Sequence, residues 1–183
     1  MIKVTAPGRA GIIGNPTDGY GGSLVCCSIK NRAQVTIKQA DQLIIENRFG
    51  QKVLKWENDF TNQNDYFDIV RCVLRYFKLY DLKAKITTTT NIPEQAGLAG
   101  STALLSAVLS AVAAYMGHDY HKYHLAELNR IIELNFMKTH CGYQDAYMTI
   151  FGGLNYLDFR GKEYYKHLEK EQYGVVEPLT PFL

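Results

Sequence analysis

The spacing of apolar and polar positions divides the chain into a strand-rich first part and a helix-rich second part. Alternating or short apolar runs predict strands over Lys3–Ala6, Ser23–Ile29, Ala33–Gln39, Gln42–Asn47, Leu82–Thr90 and Leu154–Phe159. The third and fourth of these are close enough in sequence to predict a hairpin. The segment Pro7–Gly22 contains six glycines and two prolines, which predicts a loop or several turns.

A helical period begins at Tyr66 and continues to Leu79, where the apolar residues fall on one face. Further helices are predicted over Ser101–Met116 and Tyr123–Met137, and a short helical run leads from Asp145 to Ile150. Strands come first and helices follow, with one strand between helices. This order predicts an α+β fold rather than regular β-α-β alternation.

Length and charge narrow the class of protein. A chain of 183 residues is the size of one domain, and 20 basic against 18 acidic residues leave a formal net charge of +2. This balance gives no reason to expect nucleic acid or an anionic membrane as a partner. No segment reaches the roughly 20 apolar residues of a spanning helix, and the four cysteines form no C-x-x-C pair. We therefore expect a reduced, cytoplasmic protein.

The chemistry of the chain is expected in the segment Ile92–Ala103, which reads IPEQAGLAGSTA. It lies between a predicted strand and a strongly apolar predicted helix. Gly97 and Gly100 permit tight turns and a close approach of backbone to a ligand, and Ser101 and Thr102 stand where the helix begins. Free N–H groups and the positive end of the helix dipole suit such a site to phosphate, although a serine-capped helix after a glycine turn would give the same pattern. The Walker lysine and the G-x-G-x-x-G pattern are both absent.

This loop resembles the phosphate loop of the GHMP kinases, whose pattern is P-x-x-x-G-L-x-S-S-A. Pro93, Gly97, Leu98, Ser101 and Ala103 follow the pattern, whereas Gly100 and Thr102 depart from its commonest form. Two further motifs of the family stand in the expected order. The segment 6–18, APGRAGIIGNPTD, resembles P-G-R-x-x-x-x-G-E-H-T-D, and the segment 141–145, CGYQD, with Phe151-Gly-Gly resembles the part that carries the catalytic aspartate.

The resemblance covers about residues 2–160 and implies the N-terminal domain of a GHMP kinase, with a fold like ribosomal protein S5 domain 2. The family's third motif, which belongs to a C-terminal domain, is not found in this sequence. We therefore interpret residues 1–183 as an N-terminal ATP-binding domain whose C-terminal partner domain is missing.

The resemblance also implies roles for individual residues. Asp145 is expected to be the catalytic base and Arg9 to stabilise it and the transferred phosphoryl group. ATP is expected along Pro93, Gly97, Leu98, Ala99, Gly100, Ser101 and Thr102. Without the resemblance, Asp145 would be interpreted as a helix N-cap and Arg9 as a solvated loop residue.

Magnesium and the acceptor are assigned in the same way. Ser101 and Glu133 are the expected Mg²⁺ ligands, because Mg²⁺ prefers oxygen donors, although Glu133 could equally be an exposed helix charge. Residues expected to face the acceptor are Asn15, Asp18, Gly142 and Tyr143. Asn15 stands where the family has glutamate, and a turn of Asn, Pro, Asp and Gly would explain the same sequence.

The predicted function is Mg²⁺-dependent transfer of the γ-phosphoryl group of ATP to a sugar hydroxyl. The segments GNPTDGYGG and GLAGSTA resemble glucuronokinase and predict a sugar 1-phosphate as product, whereas GYQDAYMTIFGGLNYLDF is similar to bacterial heptose-phosphate kinases. Two other functions stay open on the sequence: a catalytically silent sugar- and ATP-binding sensor, and a fragment that folds without activity.

Overall fold

A computed structural model of the chain describes residues 1–165 and 172–179, the last three residues before the gap by their backbone alone. The strands are β1 Ile2–Ile13, β2 Ser23–Gln39, β3 Leu43–Asn47, β4 Gly50–Leu54, β5 Ala84–Thr90, β6 Leu154–Asp158 and β7 Val175–Pro178. The helices are α1 Asp68–Tyr76, α2 Gly100–Tyr115, α3 Lys122–Ile132, α4 Gln144–Phe151 and α5 Arg160–Tyr165. Short 3₁₀ turns lie at Thr17–Tyr20 and Glu57–Phe60, and a π-helical turn follows α3 at Glu133–Met137.

A mixed sheet of seven strands organises the molecule, in the order β4-β3-β5-β2-β6-β7 with β1 also paired to β2. The long strand β2 is central: its first part pairs with β6 and its second part with β5. All pairings are antiparallel except that of β3 with β5, which is parallel. With helices packed on this sheet, the predicted α+β class is confirmed.

The first strand is longer than its sequence indicates. Residues 7–13 were predicted to form a loop, but β1 continues to Ile13 along β2, with register shifts after Pro7 and after Gly11. The glycines serve close packing here. A Cβ atom on Gly8 would lie 2.9 Å from the carbonyl oxygen of Leu98, so a glycine lets β1 run directly against the loop before α2. The loop prediction was therefore wrong for this half of the segment.

The predicted hairpin between β2 and β3 is also wrong. Strand β5 lies between them, paired with β2 from Ala33 to Gln39 and with β3 on its other side. The antiparallel neighbour of β3 is β4, joined to it through Arg48 and Phe49. Strand β4 escaped prediction because it is an edge strand with mostly exposed, polar residues, which weakens the alternation signal.

Helix α2 is the centre of the core. It packs against β1 and β2 on one side and against α1, α3 and α4 on the others, and ten of its sixteen residues are buried. A helix that is apolar on nearly all faces is typical of an interior position. Because α2 is fixed by the sheet and by three helices, its N-terminus is a rigid support for the loop that precedes it. No helix in the described part of the chain is long and apolar enough to cross a membrane.

Candidate active site

The loop before α2 presents an open helix N-terminus. Ala99 is the N-cap residue in a left-handed conformation, with φ 55°, and no side chain caps the helix. The first backbone bond of the helix runs from Ala103 N–H to Ala99 O, at 2.8 Å. The N–H groups of Gly100, Ser101 and Thr102 therefore have no acceptor within the helix. This geometry differs from the serine-capped alternative, because the serine does not cap.

Several residues of the loop have left-handed backbone conformations. Gly97 also has a left-handed φ, 68°, and Gln95 has a φ of 54°. A residue with a side chain is disfavoured in this region by roughly 1–2 kcal/mol. Such strain concentrates at functional sites, and at Ala99 it turns the chain so that the loop faces outward from the start of α2.

A cavity of about 510 Å³ lies in front of this loop. Six of the seven residues predicted to bind ATP line it: Pro93, Gly97, Leu98, Ala99, Gly100 and Ser101. Thr102 does not, because its side chain is buried on the inner side of α2. Tyr66, Ile69 and Leu104 also line the cavity, as do Arg9 and Asp145. Its volume is in the range of small-molecule sites.

Arg9 connects three elements of the site. Its backbone N–H donates to Leu98 O at 3.1 Å, its Nη1 donates to Gly97 O at 3.2 Å, and its Nε donates to Asp145 Oδ1 at 2.6 Å. Nη2 forms a second, ionic contact with the same carboxylate oxygen. Arg9 is 8% exposed, so it is not a solvated loop residue. Arg9 therefore joins the loop before α2 to the first turn of α4.

Asp145 lies in the first turn of α4 and faces the cavity. It does not cap the helix, because the N-cap position belongs to Tyr143 and its carboxylate is bound to Arg9. Burial raises the pKa of Asp145 above its usual range, Arg9 opposes that rise, and the negative charge of Asp18 adds to it. The result is a carboxyl group of increased basicity beside an arginine, with part of its surface open to a ligand.

Glu133 is buried rather than an exposed helix charge. It is 2% exposed, and its Oε1 accepts a hydrogen bond of 2.6 Å from Thr102 Oγ1. Its Oε2 has no conventional hydrogen-bond partner in the described residues, although the thiol of Cys141 interacts with the carboxyl group. Burial raises the pKa of Glu133. Glu133 thus contacts Thr102, the residue that follows Ser101 in the sequence. A buried carboxylate oxygen without a full set of hydrogen-bond partners is suited to bind a cation.

The four residues predicted to face the acceptor lie beside Asp145, but none lines the cavity. Asn15 is exposed and its Oδ1 accepts from Gln144 Nε2. Asp18 is 1% exposed and accepts from the backbone at the start of α4. The ring of Tyr143 stacks on Phe159 in the core, with centroids 4.9 Å apart. Gly142 packs against Asp18. The side chains of Asp18 and Tyr143 are therefore engaged inside the protein.

Part of the chain matches a known protein family. Residues 67–153 match the model of the family described as GHMP kinases N terminal domain. This stretch contains the open helix N-terminus, Glu133 and Asp145. This segment, just under half of the chain, is therefore similar to a GHMP kinase N-terminal domain.

The curated proteins that this chain is similar to include sugar kinases. The chain is 28% identical over 181 residues to a galactokinase of Thermotoga maritima, covering 95% of this chain and 51% of that protein. It is 27% identical over 198 residues to glucuronokinase 1 of Arabidopsis thaliana, covering 93% and 51% respectively. The chain thus spans about half the length of these curated relatives.

A solved structure has the same fold. A D-glycero-D-manno-heptose 1-phosphate kinase from Bacteroides thetaiotaomicron superposes with a TM-score of 0.81 at 23% identity, covering 98% of this chain and 60% of that chain. At this identity the likeness shows the fold alone. It agrees with the mixed sheet and the helical layer described above.

One residue beside the candidate site was missed by sequence reasoning. Gln144 is 6% exposed, and its side-chain amide contacts Asn15, Asp18 and the thiol of Cys26. It therefore joins the segment after β1 to the helix that carries Asp145. Its position directly before Asp145 was the available signal, but a single amide between two motif residues does not indicate which distant groups it contacts.

Proposed function

We propose that this domain is the ATP-binding part of a sugar kinase, which transfers the γ-phosphoryl group of ATP to a sugar hydroxyl. The observation that carries the proposal is the pairing of Arg9 with Asp145 at the edge of a cavity whose other wall is an open helix N-terminus. One side of this cavity suits phosphate, and the other offers a base. The proposal agrees with relatives that are named galactokinase and glucuronokinase.

ATP would lie with its phosphates along the loop from Gly97 to Ser101. The free N–H groups at the start of α2 and the positive end of its dipole favour an anion there. The apolar residues Tyr66, Ile69 and Leu104 line the same cavity and would contact the nucleoside. Thr102 would contribute its backbone and hold Glu133, because its hydroxyl is already used.

Mg²⁺ fits the residues present. Glu133 Oε2 is a buried oxygen with no conventional partner in the described part of the chain, and Ser101 offers an exposed hydroxyl at the start of α2. Two protein oxygens plus phosphate and water oxygens are a usual donor set for this ion. When bound, Mg²⁺ would offset the negative charge of the phosphates.

The chemical step would use Asp145 and Arg9. The acceptor hydroxyl oxygen forms a bond to the γ-phosphorus while the bond from that phosphorus to the ADP oxygen breaks. The hydroxyl proton passes to a carboxylate oxygen of Asp145, whose raised pKa makes it a better acceptor. The Arg9 guanidinium, fixed by Gly97 O and Asp145, is placed to stabilise the charge on the transferred group. Catalysis of this kind depends mostly on positioning and electrostatics.

The acceptor would bind beside Asp145 on the side of Asn15, which is exposed. We propose a glucuronic acid-type sugar phosphorylated to its 1-phosphate, with a heptose phosphate as the second candidate. The second candidate rests on the segment GYQDAYMTIFGGLNYLDF, which is similar to bacterial heptose-phosphate kinases. Because the relatives are about twice as long, we infer that a second domain completes the site.

A coupled ADP-release assay tests this proposal. The protein expressed from its complete coding sequence is assayed with Mg·ATP and a panel of glucuronic acid, galacturonic acid, galactose and D-glycero-D-manno-heptose 1-phosphate. Sugar-dependent ADP release identifies the acceptor class. ATP binding without ADP release on any of these sugars would favour the sensor instead. A protein that neither binds ATP nor releases ADP with any of these sugars would contradict the proposal.

A further inference from the structure

Asp18 makes an unusual set of contacts for a residue in a glycine-rich turn. Its Oδ2 accepts hydrogen bonds from the backbone N–H groups of Tyr143, at 2.7 Å, and Gln144, at 2.9 Å. Its Oδ1 accepts from Gln144 Nε2 at 3.1 Å. Asp18 is 1% exposed, so these bonds are made out of water. The carboxylate therefore satisfies two of the free N–H groups at the start of α4 from a distant part of the chain.

Gly142 provides the space for this contact. A Cβ atom at position 142 would lie 1.9 Å from Asp18 Oδ2 and 2.7 Å from its Cγ. No side chain fits at such distances, and Gly142 is not among the glycines with a positive φ. The requirement at this position is therefore for space, not for a special backbone conformation.

We propose that Asp18 is a positioning residue, which holds the first turn of α4, and with it Asp145, in place through a contact that requires Gly142. Asp18 binds the backbone N–H groups of Tyr143 and Gln144, and Asp145 follows Gln144 directly in the sequence. Arg9 contacts the Asp145 carboxylate from β1. Arg9 thus fixes the carboxylate of Asp145, and Asp18 fixes the backbone turn that carries it. The expected effect of Asp18 on turnover rests on the proposed kinase function.

The charge of Asp18 also acts on Asp145. The charged groups around Asp145 are Arg9 from β1, Asp18 from the turn after β1, and Glu133 from the π-helical turn. The thiols of Cys26 and Cys141 also face this region. Burial raises the pKa of Cys26 to about 11 and that of Cys141 to about 12, so both are neutral near pH 7. Burial is the main cause of the raised pKa of Asp145, Arg9 opposes that rise, and the charge of Asp18 adds to it.

This role differs from a direct contact with the sugar. A residue that binds sugar hydroxyls changes KM for the sugar when it is removed, because it contributes to ground-state binding. A positioning residue changes kcat with little change in KM, since misplacement of a catalytic group acts on the transition state. The burial of Asp18 and its three internal acceptor bonds favour the second pattern.

The kinetic test compares Asp18→Asn and Asp18→Ala with wild type, using Mg·ATP and the acceptor sugar of the ADP-release screen. Asn keeps an oxygen for the backbone N–H groups but removes the charge, whereas Ala removes both. We expect kcat to fall about 3- to 10-fold in Asp18→Asn and about 10- to 100-fold in Asp18→Ala, with KM for the sugar changed less than about twofold. The acidic limb of the kcat profile should move to lower pH in Asp18→Asn. The matched control is Asp158→Asn, because Asp158 is a carboxylate on β6 that pairs with Arg160. This variant should leave kcat and its pH profile unchanged.

Two measurements do not depend on kinase activity. NMR titration of ¹³C-carboxyl-labelled aspartate should show a lower pKa for Asp145 in Asp18→Asn than in wild type. Thermal unfolding should show that Gly142→Ala destabilises the wild-type background strongly and the Asp18→Ala background only slightly, since its Cβ then has room.

The outcomes separate the two proposals. A raised KM with unchanged kcat would assign Asp18 to the sugar and overturn the positioning role. An unmoved Asp145 titration in Asp18→Asn, or an equal cost of Gly142→Ala in both backgrounds, would overturn it as well. If the wild type releases no ADP with any acceptor but the titration and unfolding results are as expected, the positioning of Asp145 by Asp18 stands and the kinase proposal fails.

Discussion

Arg9 and Asp145 are separated by 136 positions in the sequence, yet Arg9 Nε donates to Asp145 Oδ1 at 2.6 Å. The same guanidinium donates to Gly97 O in the loop before α2 at 3.2 Å. One side chain therefore connects the first strand to that loop and to the first turn of α4. Arg9 thus helps to fix the position of the proposed base relative to the proposed phosphate site.

Replacement of Arg9 should change both rate and pH dependence. Arg9 lowers the pKa of Asp145 against the effect of burial, so Arg9→Ala should raise that pKa. Since the base must be ionised, activity is lost as pH falls through the pKa of Asp145, and the acidic limb of the kcat profile should therefore move to higher pH. The loss of charge stabilisation should lower kcat by about 10²- to 10³-fold.

The controls for Arg9 are Arg9→Lys and Arg32→Ala. Lysine keeps the charge but not the forked contacts, so it should restore the pH profile better than it restores kcat. Arg32 is an arginine on β2 that contacts Thr5 and should tolerate substitution. An Arg9→Ala protein with the wild-type pH profile would show that the two groups are not coupled.

Ser101 and Glu133 should determine the magnesium requirement. Ser101→Ala and Glu133→Gln each remove one proposed oxygen ligand, so both should raise the Mg²⁺ concentration that gives half-maximal ADP release. Titration of MgCl₂ at fixed ATP measures this. Ser110→Ala, on the same helix but outside the cavity, is the matched control. Unchanged magnesium dependence in both variants would remove the assigned ligand role.

Arg71 should control stability rather than chemistry. Its side chain is fully buried and contacts Asp65 and Asp68, each at 2.6 Å. Arg71→Met leaves these carboxylates without their main partner, so the free energy of unfolding should fall by about 3–5 kcal/mol. Urea unfolding followed by circular dichroism measures the change. Arg160→Met, which removes an exposed arginine from its ion pair with Asp158, should lower the free energy of unfolding much less, and an equal cost for both variants would contradict the role given to burial.

The same network predicts how stability depends on pH. Burial opposes ionisation of Asp65, but hydrogen bonds from Arg71 and Lys52 outweigh it and hold its pKa at about 2. A carboxyl group with a lowered pKa in the folded state contributes stability above its unfolded pKa, and this contribution is lost as pH falls toward about 2. The free energy of unfolding should therefore decrease in acid less steeply in Arg71→Met than in wild type.

Sequence reasoning located the parts of the site that depend on local order. The loop over 92–103, the apolar helix after it and the α+β class follow from turn residues and periodicity, and the structure has them. The pairing of strands that are distant in the sequence could not be predicted from local patterns. Nothing in the local pattern of Ala33–Asn47 indicates that β5 inserts between β2 and β3, so the hairpin prediction failed.

Burial was the second limit. The local sequence around Glu133 does not distinguish it from an exposed helical glutamate. Its burial depends on a contact with Thr102, which lies on another helix. In the same way, Asp18 in a turn of Asn, Pro, Asp and Gly gives no indication that it caps α4 across 125 positions. Ala99 in a left-handed conformation could not be predicted either, since alanine is a poor residue for it.

The most direct test of the account is Asp145→Asn. The variant is compared with wild type for ADP release in the presence of Mg·ATP and the acceptor sugar, and for binding of a fluorescent ATP analogue. We predict a turnover about 10²- to 10⁴-fold lower with the Kd for the nucleotide nearly unchanged, because Asp145 accepts the proton but does not hold the phosphates. Near-normal turnover in Asp145→Asn would contradict the assignment of Asp145 as the base.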